Sequence, residues 1–330
     1  MRLPLAAVAA GAAVLALVAG AAEAAQPTQP TIGFRVFAHT ALYEDTAHDV
    51  NGVLWTGEQF LYVENTANTL WSAPAAGMPL QRFASMPKRV EETRCIVSPG
   101  SHGFAPGEIY CHSPSDEIYE ISADGSSVTV LATLPASRVS DGALAFDDVG
   151  RFGYQLVAAT GRSGAGRPRG GEVFTISPAG AVRRVGSYTG PGADEIAIAP
   201  AGFGSAAGEA LLTLDGGPHA GAVVAIDEGG RTRTLATLPG GPNPIAVIPR
   251  GPATTRIPAA GLYITNDHNG YVYFAPAAQF ARFAGDVIVG LENGAQFWIL
   301  APQGDGFATV ALRDNLHGSH YGLEGCTYIR

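Results

Sequence analysis

The stretch Gly285-Asp286-Val287-Ile288-Val289 shows a pattern that recurs along the chain: a carboxylate or amide side chain stands directly before a short apolar run. Short runs rich in β-branched residues, introduced by Asp, Asn or Gly, are typical of strand starts. Five earlier stretches follow the pattern. Their leading polar residues are Asn51, Glu92, Asp141, Asp194 and Asn243, and the successive spacings up to Asp286 are 41, 49, 53, 49 and 43 residues. A strand-containing repeat of this length predicts a β-propeller.

Each repeat has room for four short strands, because apolar runs alternate with turns that contain Gly, Pro, Asn and Asp. The second and fourth repeats share the wording Leu-Ala-Thr-Leu-Pro, at residues 131–135 and 235–239. We therefore predict an all-β fold, a six-bladed β-propeller of four-stranded antiparallel blades. In this prediction the fifth blade begins at Asn243 and continues through residues 262–266 and 271–275, and the sixth blade occupies residues 287–312.

The sixth repeat lacks a fourth strand of its own, and two terminal segments are candidates for it, residues 33–38 and residues 325–329. Pairing the two ends of the chain within one blade removes an exposed sheet edge. We expect this closure, with residues 33–38 as the outer strand of blade six. The C-terminal segment is then left to pack nearby or to cap one face.

The N-terminus is typical of a secretory signal peptide. Residues 1–24 combine Arg2, an apolar stretch over residues 3–18 and the small-x-small site Ala22-Glu23-Ala24. Residues 25–32 are predicted to be a disordered lead-in, and residues 33–330 a single propeller domain. No later apolar stretch is long enough to span a bilayer. The sequence thus predicts a secreted or periplasmic protein.

The composition limits the possible partners. The formal net charge is −9 and only 15% of the residues are charged. The basic residues between Arg162 and Arg169 are interleaved with Gly and Pro, as in a solvated loop. An acidic chain without a basic patch is a poor partner for nucleic acid or for an anionic membrane. A small molecule remains the expected ligand, and a protein partner is possible.

Three cysteines follow the predicted cleavage site. Cys95 and Cys111 lie at nearly symmetric positions about a turn that contains Gly and Pro, so they are placed to face each other across an antiparallel strand pair. In an oxidising compartment they form a disulfide bond, and otherwise they are two small buried apolar residues. Cys326 has no obvious partner.

The six strand starts predict a site. The first strand of every propeller blade lines the central channel in the same direction, so the residues before these strands meet at one mouth. The set contains carboxylates and amides and, in this interpretation, no Lys or Arg, and such a cluster requires a counter-ion. Oxygen ligands without thiolates favour Ca²⁺. The alternative is ordinary turn chemistry at each position. The predicted metal ligands are Asn51, Glu92, Asp194, Asn243 and Asp286.

Two strand openings resemble a known family. Pro242-Asn243-Pro244-Ile245-Ala246-Val247 and Ser140-Asp141-Gly142-Ala143-Leu144-Ala145-Phe146 are similar to the Pro-Asn-Gly-Leu-Ala-Phe and Asp-Gly-Leu openings of senescence-marker-protein/gluconolactonase propellers, whose relatives include paraoxonases and strictosidine synthase-like proteins. That family holds a metal ion with a Glu, an Asn and an Asp from three blade starts. The resemblance assigns these roles to Glu92, Asn243 and Asp286.

The same resemblance implies a metal-dependent hydrolase of lactones or related small esters, in which the ion polarises the carbonyl group and binds the attacking water. Asp286 would be the general base, with Asp141 as the second candidate. His48, His320 and Trp55 are candidates for the substrate rim.

Two other functions stay open from the sequence. One is a non-catalytic propeller that binds a ligand or a protein and carries a structural Ca²⁺. The other is a lyase similar to the propeller that inactivates virginiamycin.

Overall fold

The computed structural model describes residues 29–40, 50–65, 67–88, 92–112, 116–135, 142–161, 170–216, 220–254, 257–292, 296–316 and 322–330. The predicted signal peptide and residues 25–28 of the predicted lead-in lie outside this part of the chain. No helix within the described residues has the length and hydropathy needed to cross a membrane.

Six four-stranded antiparallel sheets form a six-bladed propeller, as predicted. Two short segments, β1 (Thr31–Ile32) and β2 (Arg35–His39), precede the first blade. Blades one to four each use four consecutive strands, with the first strand innermost. Their strands are β3–β6 (Val50–Trp55, Phe60–Glu64, Thr69–Ala73, Gln81–Ser85), β7–β10 (Arg94–Pro99, Pro106–His112, Glu117–Ile121, Val128–Thr133), β11–β14 (Gly142–Phe146, Leu156–Thr160, Gly171–Ile176, Val182–Tyr188) and β15–β18 (Ala193–Ile198, Ala210–Leu214, Gly221–Ile226, Thr232–Leu238).

Blades five and six are interleaved in the sequence, and here the prediction was wrong. The innermost strand of blade five, β19 (Pro242–Val247), pairs with β22 (Val287–Leu291) and not with the strand that follows it in the chain. The hairpin of β20 (Gly261–Asn266) and β21 (Tyr271–Pro276) is placed in blade six instead. Blade five is completed by β23 (Gln296–Gln303) and β24 (Gly306–Ala311). Between β21 and β22 the chain forms a 3₁₀ helix, Ala277–Phe283.

Blade six is built from the hairpin and both ends of the chain. Its order from the channel outward is β26 (Leu323–Ile329), β20, β21 and β2. The N-terminal strand is therefore the outer strand, as predicted, whereas the C-terminal strand is the innermost one. The remaining strand, β25 (Arg313–Asp314), pairs in parallel with β1. The two ends of the chain thus pair within one blade, which closes the ring.

Aromatic packing stabilises the closure of the ring between blades six and one. Phe37 of β2 contacts both Phe60 of blade one and Tyr263 of β20, with ring centroids 5.0 and 4.8 Å apart. Tyr263 also packs against Phe274 of β21 at 4.7 Å. Phe60, Tyr263 and Phe274 are almost completely buried. Each such ring removes a large apolar area from water, so the contacts stabilise the join between blades six and one.

Within the blades, buried carboxylates shape the turns. The Asp147 carboxylate accepts backbone N–H bonds from Val149, Gly150, Phe152 and Tyr154 in the turn between β11 and β12. Such contacts replace the ladder bonds that a turn cannot make.

The predicted disulfide bond is confirmed. Cys95 of β7 and Cys111 of β8 are direct partners in the antiparallel register, and the S–S distance is 2.06 Å. Cys326 lies on β26 and is a free thiol.

Candidate functional site

The six innermost strands, β3, β7, β11, β15, β19 and β26, all begin on one face of the propeller, which we call the strand-start face. The opposite face is the strand-end face. At the strand-start face the described residues bring together a group of buried and half-buried polar side chains, which we call the ring cluster. Its members are Asn51, Arg94, Asp194, Glu195, Asn243 and Glu324.

An arginine holds the ring cluster together. Arg94 Nη2 donates to Glu324 Oε2 at 2.5 Å, and Arg94 Nε lies 3.2 Å from Glu195 Oε1. Nη1 donates to the main-chain carbonyl of Asn51 at 3.2 Å. One guanidinium thus links blades one, two, four and six. The planar fork of N–H donors suits this role better than a lysine would.

The charges of the cluster are buried together. The Arg94 and Glu324 side chains are only 8% and 10% exposed. Burial opposes the charge on Arg94, but the neighbouring carboxylates of Glu324 and Glu195 outweigh it and raise the pKa of the guanidinium. Arg94 therefore stays charged among these carboxylates.

The pKa of Glu195 is suited to proton transfer near neutral pH. Burial raises its pKa to about 7; the charge of Arg94 opposes this shift, and Glu324 adds to it. A carboxyl group that titrates near neutral pH suits general acid–base chemistry.

The strand-start face holds a second carboxyl group with a raised pKa. Glu292 follows β22 at the strand-start face, and burial together with Glu324, Asp215 and Asp267 raises its pKa to about 8. Glu292 is therefore mostly protonated at neutral pH, because burial and the nearby carboxylates disfavour its charged form.

Two amides complete the ring cluster. Asn243 Nδ2 donates to Glu324 Oε2 at 3.0 Å, and Asn51 Nδ2 lies 3.3 Å from Asn65 Oδ1. Both Asn51 and Asn243 are fully buried, with exposures of 0% and 2%. Within the described part of the chain, their Oδ1 atoms have no hydrogen-bond donor. A buried carbonyl oxygen without a donor is rare, and it often marks the position of a water molecule or a ligand.

The ring cluster as described does not fit the predicted divalent ion. The premise that no Lys or Arg lies among the strand starts is wrong, because Arg94 already pairs with the carboxylates of Glu195 and Glu324. Among the described residues no group of three or more His, Cys, Asp or Glu side chains is arranged to hold a metal ion. The Ca²⁺ site stays a prediction.

Asp286 does not lie at the ring cluster. It precedes β22, the second strand of blade five, and Val287 pairs with Val247 at the far end of β19 from Asn243. Four residue steps along a strand separate these ends by about 13 Å. Asp286 therefore lies at the strand-end face, where burial raises its pKa and Arg250 opposes the shift. The placement of Asp286 beside Asn243 was wrong, since β22 runs antiparallel to β19.

The other predicted residues divide into four groups. Asn51, Asp194 and Asn243 lie in the ring cluster. Glu92 is exposed in the loop before β7, and its backbone N–H donates to Asn65 Oδ1 at 3.0 Å. Trp55 lines the channel at the end of β3, towards the strand-end face. Asp141, His48 and His320 lie outside the described residues.

Sequence reasoning missed Arg94 and Glu324. A signal for Glu324 was present, because Glu324-Gly325-Cys326 repeats the order of a polar residue followed by Gly seen in Asn51-Gly52 and Asp141-Gly142. Close packing between β26 and β3 requires a glycine at position 325. A Cβ atom on Gly325 would lie 2.4 Å from the Asn51 carbonyl oxygen and 2.7 Å from Gly52 Cα.

A cavity of about 460 Å³ occupies the central channel. It is lined by residues of all six innermost strands, and Arg94 and Glu195 are its only members from the ring cluster. Arg94 and Glu195 thus form one end of a cavity large enough for a small molecule.

No family model matches the sequence, and neither does any curated protein. Among solved structures, the fold is similar to a chain of a nidogen/laminin complex, with 10% identity over 84% of this chain and 84% of that chain and a TM-score of 0.52. It is also similar to the PQQ-bound aldose sugar dehydrogenase of Streptomyces coelicolor, with 14% identity over 88% and 87% of the two chains and a TM-score of 0.52. A putative 6-phosphogluconolactonase from Bacteroides uniformis aligns with 15% identity over 64% of this chain and 60% of that chain, at a TM-score of 0.41. At these identities the first two likenesses show the propeller fold alone.

Proposed function

We propose that this protein is a hydrolase of lactones or small esters that acts in the central channel, with Glu195 as general base and Arg94 as the fixed cation. One observation carries the proposal. The Glu195 carboxyl group, whose pKa burial raises to about 7, lies 3.2 Å from Arg94 Nε, and both side chains line the 460 Å³ cavity.

The chemistry follows from these two groups. Ionised Glu195 accepts a proton from a water molecule as the water oxygen forms a bond to the carbonyl carbon. The carbonyl oxygen gains negative charge, and the guanidinium of Arg94 stabilises it. When the tetrahedral intermediate collapses, the bond to the alkoxide oxygen breaks and Glu195 returns its proton to that oxygen. The products are a carboxylic acid and an alcohol, or a hydroxy acid from a lactone.

Arg94 has donors to spare for this role. Each terminal guanidinium nitrogen carries two N–H groups, and the contacts to Asn51 and Glu324 use one from each. These contacts also fix the plane of the guanidinium before substrate arrives. A preorganised donor stabilises a developing charge without a reorganisation cost.

The test compares wild-type protein with Glu195→Gln, using a panel of phenyl esters and aliphatic lactones and following proton release. We expect kcat/KM to fall about 100- to 10,000-fold in the variant. Glu172→Gln is the matched control, since Glu172 pairs with Arg184 on blade three, away from the channel. It should keep wild-type turnover.

Two further measurements make the test decisive. Because Glu195 must be ionised to accept the proton, kcat/KM of the wild type should rise as pH increases through about 7. EDTA should leave the rate unchanged. A protein that binds the panel without hydrolysing it, or a Glu195→Gln variant with wild-type turnover, would show that the proposal is wrong.

A further inference from the structure

The channel cavity lies on one side of the ring cluster. Its lining on β7 runs from Arg94 to Pro99, a depth of about 16 Å for five residue steps. At the strand-start end Asn51, Arg94, Asn243 and Glu324 are all buried. At the other end Pro99 and Asp148 are exposed. The cavity therefore opens at the strand-end face and ends at Arg94 and Glu195.

The side chains along the wall between these ends are mostly apolar. Each innermost strand contributes aliphatic or aromatic side chains, and beyond Arg94 and Glu195 the charged lining consists of Asp148 alone among the described residues. The apolar lining includes Leu54, Ile96, Leu144, Ile196, Ala246 and Val247. An apolar body would gain free energy from burial against these side chains.

The entrance continues this apolar surface. Trp55, Phe146 and Tyr328 line the channel near the strand-end face. Tyr328 also lines a second cavity of about 430 Å³ beside the 3₁₀ helix Ala277–Phe283, together with Phe280 and Ile248. Tyr328 thus borders both cavities.

The charged residues of the channel indicate which head group a ligand can carry. Arg94 is matched by Glu324 and partly by Glu195, and Asp148 adds a negative charge at the entrance. An anionic head group would meet net negative charge along its path. A neutral carbonyl group can still accept a hydrogen bond from Arg94.

We propose that the substrate is a neutral ester or lactone with an apolar body, and that it enters from the strand-end face with its carbonyl group leading towards Arg94 and Glu195. This inference rests on the proposed function for its reaction but not for its binding. The proposed entrance lies at the strand-end face, opposite to the ring cluster.

Substrate selectivity of the wild-type protein is the first test and needs no variant. Phenyl acetate, butanoate and hexanoate should show kcat/KM rising about fourfold for each buried methylene group. Gluconolactone should be the poorest substrate. Equal rates for gluconolactone and the hexanoate would overturn the inferred substrate class while leaving the hydrolase proposal intact.

The entrance is tested with Val247→Phe, which narrows the channel near the strand-end face. Val310→Phe is the control, because Val310 lies on the outer strand of the same blade and is 38% exposed. A long-chain methyl ketone, which mimics the ester but cannot be hydrolysed, serves as the ligand in calorimetry. We expect its Kd to rise at least tenfold in Val247→Phe and to stay unchanged in the control.

The two proposals fail in different ways. Ketone binding that depends on Val247, with no ester hydrolysed, supports the entrance and the ligand class and refutes the hydrolase. Ester hydrolysis by folded Val247→Phe with wild-type KM and Kd refutes the entrance and leaves the hydrolase.

Discussion

At the strand-start end the central channel is closed by charged side chains that hold one another, whereas at the strand-end face it is open and lined by apolar ones. Arg94, Glu195 and Glu324 are buried with their charges, so each depends on the others for compensation. Trp55, Val247 and Tyr328 at the open end have no such dependence. The comparison separates the two tasks of a binding site. The closed end supplies reactive and positioning groups, and the open end supplies affinity for an apolar body.

Removal of Arg94 should produce the largest effect on stability. Arg94→Ala leaves Glu195 and Glu324 buried without a cation, which costs about 3–5 kcal/mol of the free energy of unfolding. Arg184→Ala breaks the exposed pair with Glu172 and should cost less than about 1 kcal/mol. Urea unfolding measures both. Equal stability of Arg94→Ala and the wild type would mean that the closed end does not depend on its arginine.

The same variant tests the predicted Ca²⁺ site. In Arg94→Ala the carboxylates of Glu195 and Glu324 lose the cation that pairs with both of them, in a cluster where the Oδ1 atoms of Asn51 and Asn243 have no donor among the described residues. We expect Ca²⁺ to raise the melting temperature of this variant and to leave that of the wild type unchanged. A saturable rise in the wild type would instead support the Ca²⁺ prediction from the sequence.

Glu292 should produce a smaller effect that depends on pH. Its folded pKa of about 8 lies above the ordinary value of 4.5, so the folded protein holds a proton that the unfolded chain has lost. Stability from this group is complete below about 4.5 and is lost as pH rises through about 8. Glu292→Gln, which stays neutral, should therefore gain stability over the wild type as pH rises.

Urea unfolding at a series of pH values measures this difference. The two proteins should converge below about pH 4.5 and differ most above about pH 8. A constant difference across this range would show that folding does not raise the pKa of Glu292.

Asp286→Ala should produce the smallest effect. Asp286 lies at the strand-end face, and its main-chain N–H and carbonyl contacts with Phe283 and Ile248 do not need the side chain. Turnover should stay at the wild-type value, and the free energy of unfolding should change by less than about 1 kcal/mol. Loss of turnover in Asp286→Ala would support the catalytic role that the sequence predicted for Asp286.

The contrast between the first four blades and the last two shows where sequence reasoning failed. In blades one to four, strands that are neighbours in the sequence are neighbours in the sheet. The apolar runs after Asn243 look the same, but β20 and β21 leave blade five and join β26 and β2. Hydrophobic patterning reports that a strand forms and which turns bound it. It does not report which edge the strand pairs with, and that choice moved Asp286 to the opposite face.

The sequence by itself determined the fold class, the number of blades, the disulfide between Cys95 and Cys111, and the meeting of polar strand starts on one face. These features follow from local signals, namely strand period, turn residues and spacing along the chain. Only the tertiary structure decided that Arg94 supplies the cation, that Glu324 of the C-terminal strand completes the ring, and that the cavity opens at the other face. Those features arise from residues up to 230 positions apart, and no local pattern encodes which distant charges become neighbours.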